Sequence, residues 1–389
     1  MRLLLPLLTR GSVCLSKDAA LITATSLQAG FYTDLKLIQL QLVSGSCGDT
    51  MSGETSFSQI DFVPATAEDY EAVMSISGGI YNGTDYLPFK YQAWLKDPQR
   101  RMFLAKCEGK VVAFESFILV DDGTTAVLQG LRVAPWMRGQ GVAGLIEKFC
   151  LAALHSDHPE VKRVRLTRGE NPPAAMLMKY KVIDTKAVLP ILLPADQLKT
   201  ALMLLESRVS NLDRSKELNV LREEEILKFF EESKTREKLL PGGFLVQGWL
   251  PLTTQKSNLH LLLNKKVVWM YSHPVESSDS ESTSEISISF SGTQSYMERF
   301  LSLGTPPYPV PFAKGIYRLD IDMFGNDPSC AKVHILQQMK VAVQALPAGS
   351  GVICVLYADE SLRAEIEQLC EGLTPFHIVK EQMILEMEI

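Results

Sequence analysis

The chain has 389 residues, a formal net charge of −6, 46% hydrophobic residues and 22% charged residues. That length supports two domains with separate cores, and the acidic balance excludes a protein that coats nucleic acid or binds anionic lipid through a basic face. The seven cysteines and six histidines are scattered without C-x-x-C or zinc spacing, and no apolar run reaches the roughly 18 residues of a membrane span, so the expectation is a reduced, cytoplasmic monomer with no metal, no nucleic-acid partner and no membrane anchor.

Residues 1–54 read as an N-terminal extension. Arg2-Leu-Leu-Leu-Pro-Leu-Leu8 is too short for a secretory signal and Arg10 interrupts it. Arg2, Arg10 and Lys17 precede the first acid, Asp18, with Ser12 and Ser16 between them. That is weakly like a mitochondrial presequence, which would move the protein from cytoplasm to mitochondrion. The other reading is a disordered or untranslated segment, with translation starting at Met51.

Ile60–Val63 is the first predicted strand. Thr66-Ala-Glu-Asp69 is a capping-box-like helix start, with Tyr70, Val73 and Met74 on one face. A turn-rich stretch, Gly79-Ile80-Tyr81-Asn82-Gly83-Thr84-Asp85-Tyr86-Leu87-Pro88, leads to Tyr91 and Trp94. Two strands, Arg101–Cys107 and Val111–Val120, flank Glu108-Gly109. Asp121-Asp122-Gly123 turns into a further strand, Ala126–Val133.

The segment after that strand carries the chemistry. Ala134-Pro-Trp-Met-Arg138-Gly139-Gln140-Gly141-Val142-Ala143-Gly144 opens a run with apolar residues at 142, 145, 146, 149, 150 and 153, the period of one helix face. A Gly-rich turn from strand to helix presents main-chain N–H groups and a positive helix end to an anion. Arg138 adds a forked charged contact. Gly139, Gly141 and Gly144 also satisfy Gly-x-Gly-x-x-Gly. A dinucleotide fold, however, wants its glycines tight against the strand and an acid at the end of the next one. Here Ala134–Arg138 intervene, and Glu160 precedes the next strand.

The pattern Arg138-x-x-Gly141-x-Ala143, with Val133-x-Pro135 upstream, resembles the acetyl-CoA loop of the GNAT acetyltransferases. The resemblance implies a mixed α/β (α+β) GNAT fold over 55–195. It implies acetyl-CoA as co-substrate, its diphosphate held by Arg138, Gly139, Gln140, Gly141, Val142 and Ala143. A main-chain N–H at Leu131 or Val133 would receive the thioester carbonyl. Asn171 would contact the pantetheine arm.

After Val161–Thr167 as a strand and Asn171–Lys181 as a helical stretch begun by Pro172 and Pro173, Ala187–Leu193 closes this domain. Many GNATs carry a glutamate base on their fourth strand, but this chain has Gln129 there, which cannot take up a proton. Glu115, mid-strand between apolar neighbours, is the alternative base, because desolvation would raise its pKa; the competing reading pairs it with an arginine. Tyr180 is the candidate acid for the departing thiolate. The family spacing also admits Leu177 or Met178 at that place, leaving Tyr180 as a packed aromatic.

Residues 196–389 read as a second, degenerate GNAT-like lobe. A helical, charged segment (196–238) precedes a Ser/acid run (276–285) between strand-like Val267–Ser272 and Ile286–Phe290. Then follow strand Ile316–Met323, helix Ala331–Leu346, strand Val352–Tyr357, helix Leu362–Cys370 and strand-like Phe376–Glu386. The turn matching the phosphate loop, Phe324–Cys330, has one glycine, no arginine, and Asp327-Pro328 as blockers.

Pro64–Tyr70, Gly79–Pro88 and Gly130–Trp136 are similar to the corresponding stretches of the histidine N-acetyltransferase family, and the likeness covers about 55–389. It implies acetyl transfer to the α-amine of a free amino acid, L-histidine, giving N-acetylhistidine and CoA. Tyr81, Asn82, Asp85, Tyr86 and Gln129 fall where such enzymes build the acceptor wall. Arg132 or Arg168 would take the acceptor carboxylate. The competing functions are a protein or peptide N-acetyltransferase and an acetyl-CoA-binding pseudoenzyme.

Overall fold

The computed structural model describes residues 38–41, 59–210, 212, 216–231, 239–240, 242–274 and 299–389. The N-terminal extension, apart from 38–41, lies outside the described residues, as do the Ser/acid run and the strand predicted at Ile286–Phe290. The chain forms two compact units. One holds the described residues up to Gly78, with Tyr91–Phe117 and Gly130–Pro159; the other holds Gly79–Lys90, Ile118–Gln129 and Glu160–Ile389.

In the first unit, β1 (Ile38–Gln41) pairs antiparallel with β2 (Gln59–Pro64). Thr66 donates to the Asp69 carboxylate from its N–H (3.0 Å) and its hydroxyl (2.9 Å), ordering the turn before α1 (Tyr70–Ser75). Helix α2 (Leu87–Leu95) precedes β3 (Arg100–Cys107) and β4 (Lys110–Val120). The turn between those strands places Glu108 at φ 49° and Gly109 at φ 76°. Strand β5 (Thr125–Val133) completes the order β2-β3-β4-β5, and α3 (Val142–Asp157) follows it. The residues of α3 expected to face inward, Val142, Leu145, Ile146, Phe149, Cys150 and Ala153, are all buried, and Leu154 is buried beside them. Phe149 stacks on Phe62 at 4.8 Å and meets Phe103 edge-on at 5.2 Å. Tyr91 of α2 packs near Phe114 and donates its hydroxyl to Thr66 O at 2.7 Å.

The second unit begins with β6 (Arg163–Gly169), α4 (Ala174–Leu177), β7 (Lys181–Leu193) and α5 (Leu198–Val209). Next come β8 (Lys216–Val220), α6 (Glu223–Glu231), the hairpin β9 (Phe244–Gln247) and β10 (Leu250–Thr253), α7 (Lys256–Asn264) and β11 (Val268–Pro274). After these lie β12 (Phe300–Gly304), β13 (Tyr308–Pro309), β14 (Ile316–Phe324), α8 (Pro328–Gln344), β15 (Gly351–Ala358), α9 (Arg363–Leu369), β16 (Thr374–Pro375) and β17 (Glu381–Glu388).

Its strands run in the order β5-β6-β17-β7-β15-β14-β12-β11-β8. The last strand of the chain, β17, is antiparallel to both β6 and β7. Strands β5/β6 and β14/β15 are the parallel pairs, each joined through a helix. The strand–helix–strand crossover thus occurs twice along the chain. Helix α4 is four residues long, shorter than the helix expected over Asn171–Lys181: Pro172 and Pro173 hold its start back to Ala174, and Lys181 already belongs to β7.

One face of this sheet is apolar: Leu189, Ile191, Leu319, Ile321, Met323 and Leu356 pack with Ile335 and Met339 of α8 and Ile366 of α9. Asp121, expected only as a turn residue, is buried in left-handed backbone at φ 56°. Its carboxylate pairs with Arg165 at 2.6 Å and accepts from Asn258 and Thr253 at 2.6 and 2.7 Å. Arg165 pairs as well with Glu386 at 2.6 Å, so one guanidinium joins two carboxylates, and removing it would strand the buried Asp121 charge.

Candidate active site

The Gly-rich loop lies in the first unit. Gly139 and Gly141 adopt φ 78° and 79°, and a Cβ added at either would meet nothing within 4 Å. The loop is therefore glycine for backbone reasons, with open space on its outer side. Gly141 is the N-cap of α3 and no side chain caps that helix. The first-turn N–H groups have no intrahelical acceptor, so a 16-residue helix presents them outward. Arg138 donates to Val133 O at 3.2 Å, and Gln140 donates to Trp136 O at 3.0 Å. Both side chains brace the loop. Val142 is buried, Ala143 is half-buried, Leu131 is exposed and Val133 is half-buried. The corresponding helix start in the second unit is closed. There Asp327 accepts from Cys330 N–H at 2.7 Å and Pro328 supplies no N–H.

Glu115 lies between β4 and α3, 4% exposed, with its carboxyl against the Cys150 thiol. Burial pushes its pKa well up, and the Glu147 charge adds to that. One of its oxygens has no partner among the described residues. Burial keeps the proton on this carboxyl to a higher pH than on an exposed glutamate. Tyr180 is buried at the start of the segment leading into β7, and its N–H donates to Met176 O at 2.8 Å. Leu177 and Met178, the alternatives at that place, are exposed. Asn171 is exposed, with left-handed φ 59°.

The acceptor-wall residues all fall in the second unit. Tyr81 and Asn82 occupy left-handed backbone at φ 48° and 53° in the turn Ile80–Gly83. The Tyr81 ring stacks on Trp249 at 5.5 Å and on Tyr86 at 6.0 Å. Asp85 Oδ1 accepts from Leu87 N–H at 2.9 Å, which starts α2. Asn82 is exposed.

Trp249 was not expected. It sits with Gly248, at φ 61°, in the two-residue turn of the β9–β10 hairpin. Parallel pairing of β5 with β6 covers Thr125–Leu128 against Arg163–Leu166. The next residues, Gln129 and Thr167, each donate a side-chain hydrogen bond to Trp249 O, at 2.9 and 3.0 Å. Gly248 N–H donates to Asp322 at 2.7 Å, and Gln382 donates to Gly248 O. Trp249 Nε1, Asp322 Oδ1 and Gln382 Oε1 are buried without a partner among the described residues. Arg168 is not part of this group; its guanidinium reaches Met176 Sδ at 3.9 Å. The Arg132 guanidinium, in the first unit, donates to Leu131 O at 2.9 Å.

The same turn meets a buried charged stripe. Arg318, Asp320 and Asp322 alternate along β14 with Leu319, Ile321 and Met323, so the charges share the face opposite the apolar core. Arg318 pairs with Asp320 at 2.7 Å, and Tyr308 and Tyr357 donate to that carboxylate at 2.9 and 3.0 Å. Burial pushes Lys186 down and Asp322 up, each against the attraction of the other's charge. Lys186 Nζ donates to Met323 O at 3.2 Å and lies 3.7 Å from the Phe324 ring centroid. The alternation Arg-x-Asp-x-Asp inside an apolar strand was the available signal for this stripe.

These two sets of residues correspond to two family models. The description "Acetyltransferase (GNAT) family" matches 66–179, and "Histidine N-acetyltransferase, C-terminal" matches 214–298 and 285–359. The chain is 34% identical over 348 residues to Probable N-acetyltransferase 16 of Homo sapiens, covering 86% of this chain and 88% of that one. The chain belongs to the histidine N-acetyltransferase family of GNAT enzymes. Two further relatives are named Histidine N-acetyltransferase. That of Xenopus tropicalis is 31% identical over 344 residues (88% of this chain, 99% of the relative). That of Oreochromis niloticus is 32% identical over 339 residues (85% and 94%). Membership makes the chain an acyltransferase. The Gly-rich loop falls inside the general GNAT match, whereas Trp249 and Arg318–Asp322 fall inside the histidine N-acetyltransferase matches.

Proposed function

We propose that this histidine N-acetyltransferase family member moves acetyl from acetyl-CoA to the α-amine of a free amino acid, L-histidine, giving N-acetylhistidine and CoA. The observation that carries the coenzyme half is the uncapped start of α3, where Gly139 and Gly141 leave open space beside outward amides. A diphosphate fits that donor set: main-chain N–H groups, a helix dipole and Arg138. The coenzyme, when bound, supplies an activated thioester.

The chain's own residues then have distinct tasks. The amides from Gly139 to Ala143 bind diphosphate. A main-chain N–H of Leu131 or Val133 receives the carbonyl oxygen as its charge develops. Asn171 holds the pantetheine arm. Tyr180 returns a proton to the departing thiolate. Gln129 cannot act as a base; it fixes the Trp249 turn. The α-amine therefore loses its proton to water. Tyr81, Tyr86 and Trp249 form the apolar side of the acceptor wall, which suits a flat side chain.

The test is thiol release from acetyl-CoA with a panel of free amino acids and short peptides. Release with L-histidine ahead of other amino acids is the expected result. Release with peptides alone would overturn the amino-acid reading. Coenzyme binding without release for any acceptor would overturn turnover itself.

A further inference from the structure

We propose that Arg318, with Asp320, is a positioning residue for the acceptor wall: its guanidinium fixes Thr84, and Thr84 fixes the turn that sets the Tyr81 ring against Trp249. The proposal rests on the acceptor-wall reading above and adds a residue from the C-terminal lobe that acts on the wall through Thr84.

The chain of contacts is continuous and lies within the second unit. Asp320 Oδ1 accepts from two guanidinium nitrogens of Arg318, Nε at 3.0 Å and Nη2 at 2.7 Å. Arg318 Nη2 also donates to the Tyr357 hydroxyl at 2.9 Å. This leaves Nη1 aimed at Thr84, whose carbonyl it reaches at 3.1 Å and whose hydroxyl at 3.3 Å. Thr84 then donates twice to Tyr81 O, from its hydroxyl at 2.8 Å and its N–H at 3.1 Å.

The segment needs such a clamp. Tyr81 and Asn82 are both left-handed, a conformation asparagine tolerates but one that costs a residue such as Tyr81 roughly 1–2 kcal/mol. Gly83 is left-handed too, and a Cβ there would come within 3.1 Å of Phe312 Cα. A tyrosine held in that conformation persists only where its surroundings over-determine it. The Arg318–Asp320 pair is fully buried, as is Thr84, so water does not compete for these bonds. Lysine cannot replace this fork, because it lacks planar donors to serve Asp320, Tyr357 and Thr84 together.

The experiment compares Thr84→Val, Thr84→Ser and Arg318→Lys with the wild type. Thr84→Val keeps the side chain's shape and removes the hydroxyl, so it serves even where Arg318→Lys fails to fold. Two readouts are taken: hydrogen–deuterium exchange of peptides spanning 79–90, and KM for L-histidine and acetyl-CoA beside kcat. Thr84→Val should exchange faster over 79–90 and raise the acceptor KM about tenfold. Its acetyl-CoA KM should stay within about twofold and its kcat should change less than the acceptor KM. Thr84→Ser should restore both readouts. Unchanged exchange in Thr84→Val would overturn the clamp. Faster exchange with an unchanged acceptor KM would overturn its role in the acceptor wall. A wild type inactive on every amino acid would sink the acceptor reading instead, and exchange over 79–90 would then decide the clamp.

Discussion

Replacing Gly141 by glutamate should abolish most coenzyme affinity, and the matched glutamine variant separates charge from shape. Gly141 is left-handed at φ 79° with nothing within 4 Å of an added Cβ. Both variants therefore carry the same backbone strain, roughly 1–2 kcal/mol, and neither clashes with a neighbour. They differ by one negative charge on an exposed loop. With about 5 Å between that carboxylate and a diphosphate of about two charges, repulsion at water's dielectric is about 1.7 kcal/mol. That corresponds to about a twentyfold weaker Kd for Gly141→Glu than for Gly141→Gln, shrinking as salt is raised. Isothermal titration of CoA into both variants at low and high ionic strength measures it. Equal Kd values for the two, at both salt concentrations, would refute the placement of the diphosphate.

Other consequences concern the buried acids and the proposed proton donor. Burial raises the folded-state pKa of Glu115 above its ordinary value. Its unfolded form ionises first as pH rises, so this group's contribution lowers stability as pH climbs above the ordinary glutamate pKa. Glu115→Gln should lessen that slope, which the buried Asp322 and half-buried Asp184 share; a Tm difference that is constant with pH would contradict this, and unchanged turnover would remove Glu115 as the base. Asp121→Asn should cost about 1–3 kcal/mol of unfolding free energy at neutral pH, because it weakens a charge-assisted bond while Glu386 still pairs with Arg165 at 2.6 Å; urea titration measures it, and no loss would contradict it. The opposite sign applies to Asp121, whose folded pKa is lowered by the Arg165 charge and its hydrogen bonds despite burial. Its contribution is present above the ordinary aspartate pKa and lost as pH falls through the lowered one. Tyr180→Phe should lower kcat about 100-fold or more if the hydroxyl gives up its proton to the thiolate; an unchanged kcat would leave Tyr180 as a packed ring.

Much of the first unit was legible because local chemistry dictates it. The six inward positions of α3 follow from spacing alone, and Glu108-Gly109 marks its hairpin by the need for positive φ. The loop at Gly139 and Gly141 is readable for the same reason. What periodicity cannot show is which distant strands meet. Nothing between 374 and 389 announces that β17 pairs with both β6 and β7. Asp121 read as a turn residue because its role depends on Arg165, Thr253 and Asn258, between 44 and 137 positions away. Glu115 was legible as a buried carboxyl from strand alternation, whereas its contact with Cys150 of α3 was not. Trp249 was passed over since a Gly-Trp pair between two short apolar runs signals a hairpin and no more. Its importance comes from Gln129, Thr167, Asp322 and Gln382 converging on two residues. Tyr81 and Tyr86 were legible as candidates, but the Arg318 clamp beneath them was not.

The most direct measurement is kcat/KM for acetyl transfer to L-histidine against a panel of other free amino acids and histidine-containing peptides, with the product's acetylated nitrogen assigned by NMR. The account predicts L-histidine as the preferred acceptor and acetyl on its α-nitrogen. Preference for a peptide terminus, acetyl on the imidazole ring, or no transfer by coenzyme-binding protein would contradict it.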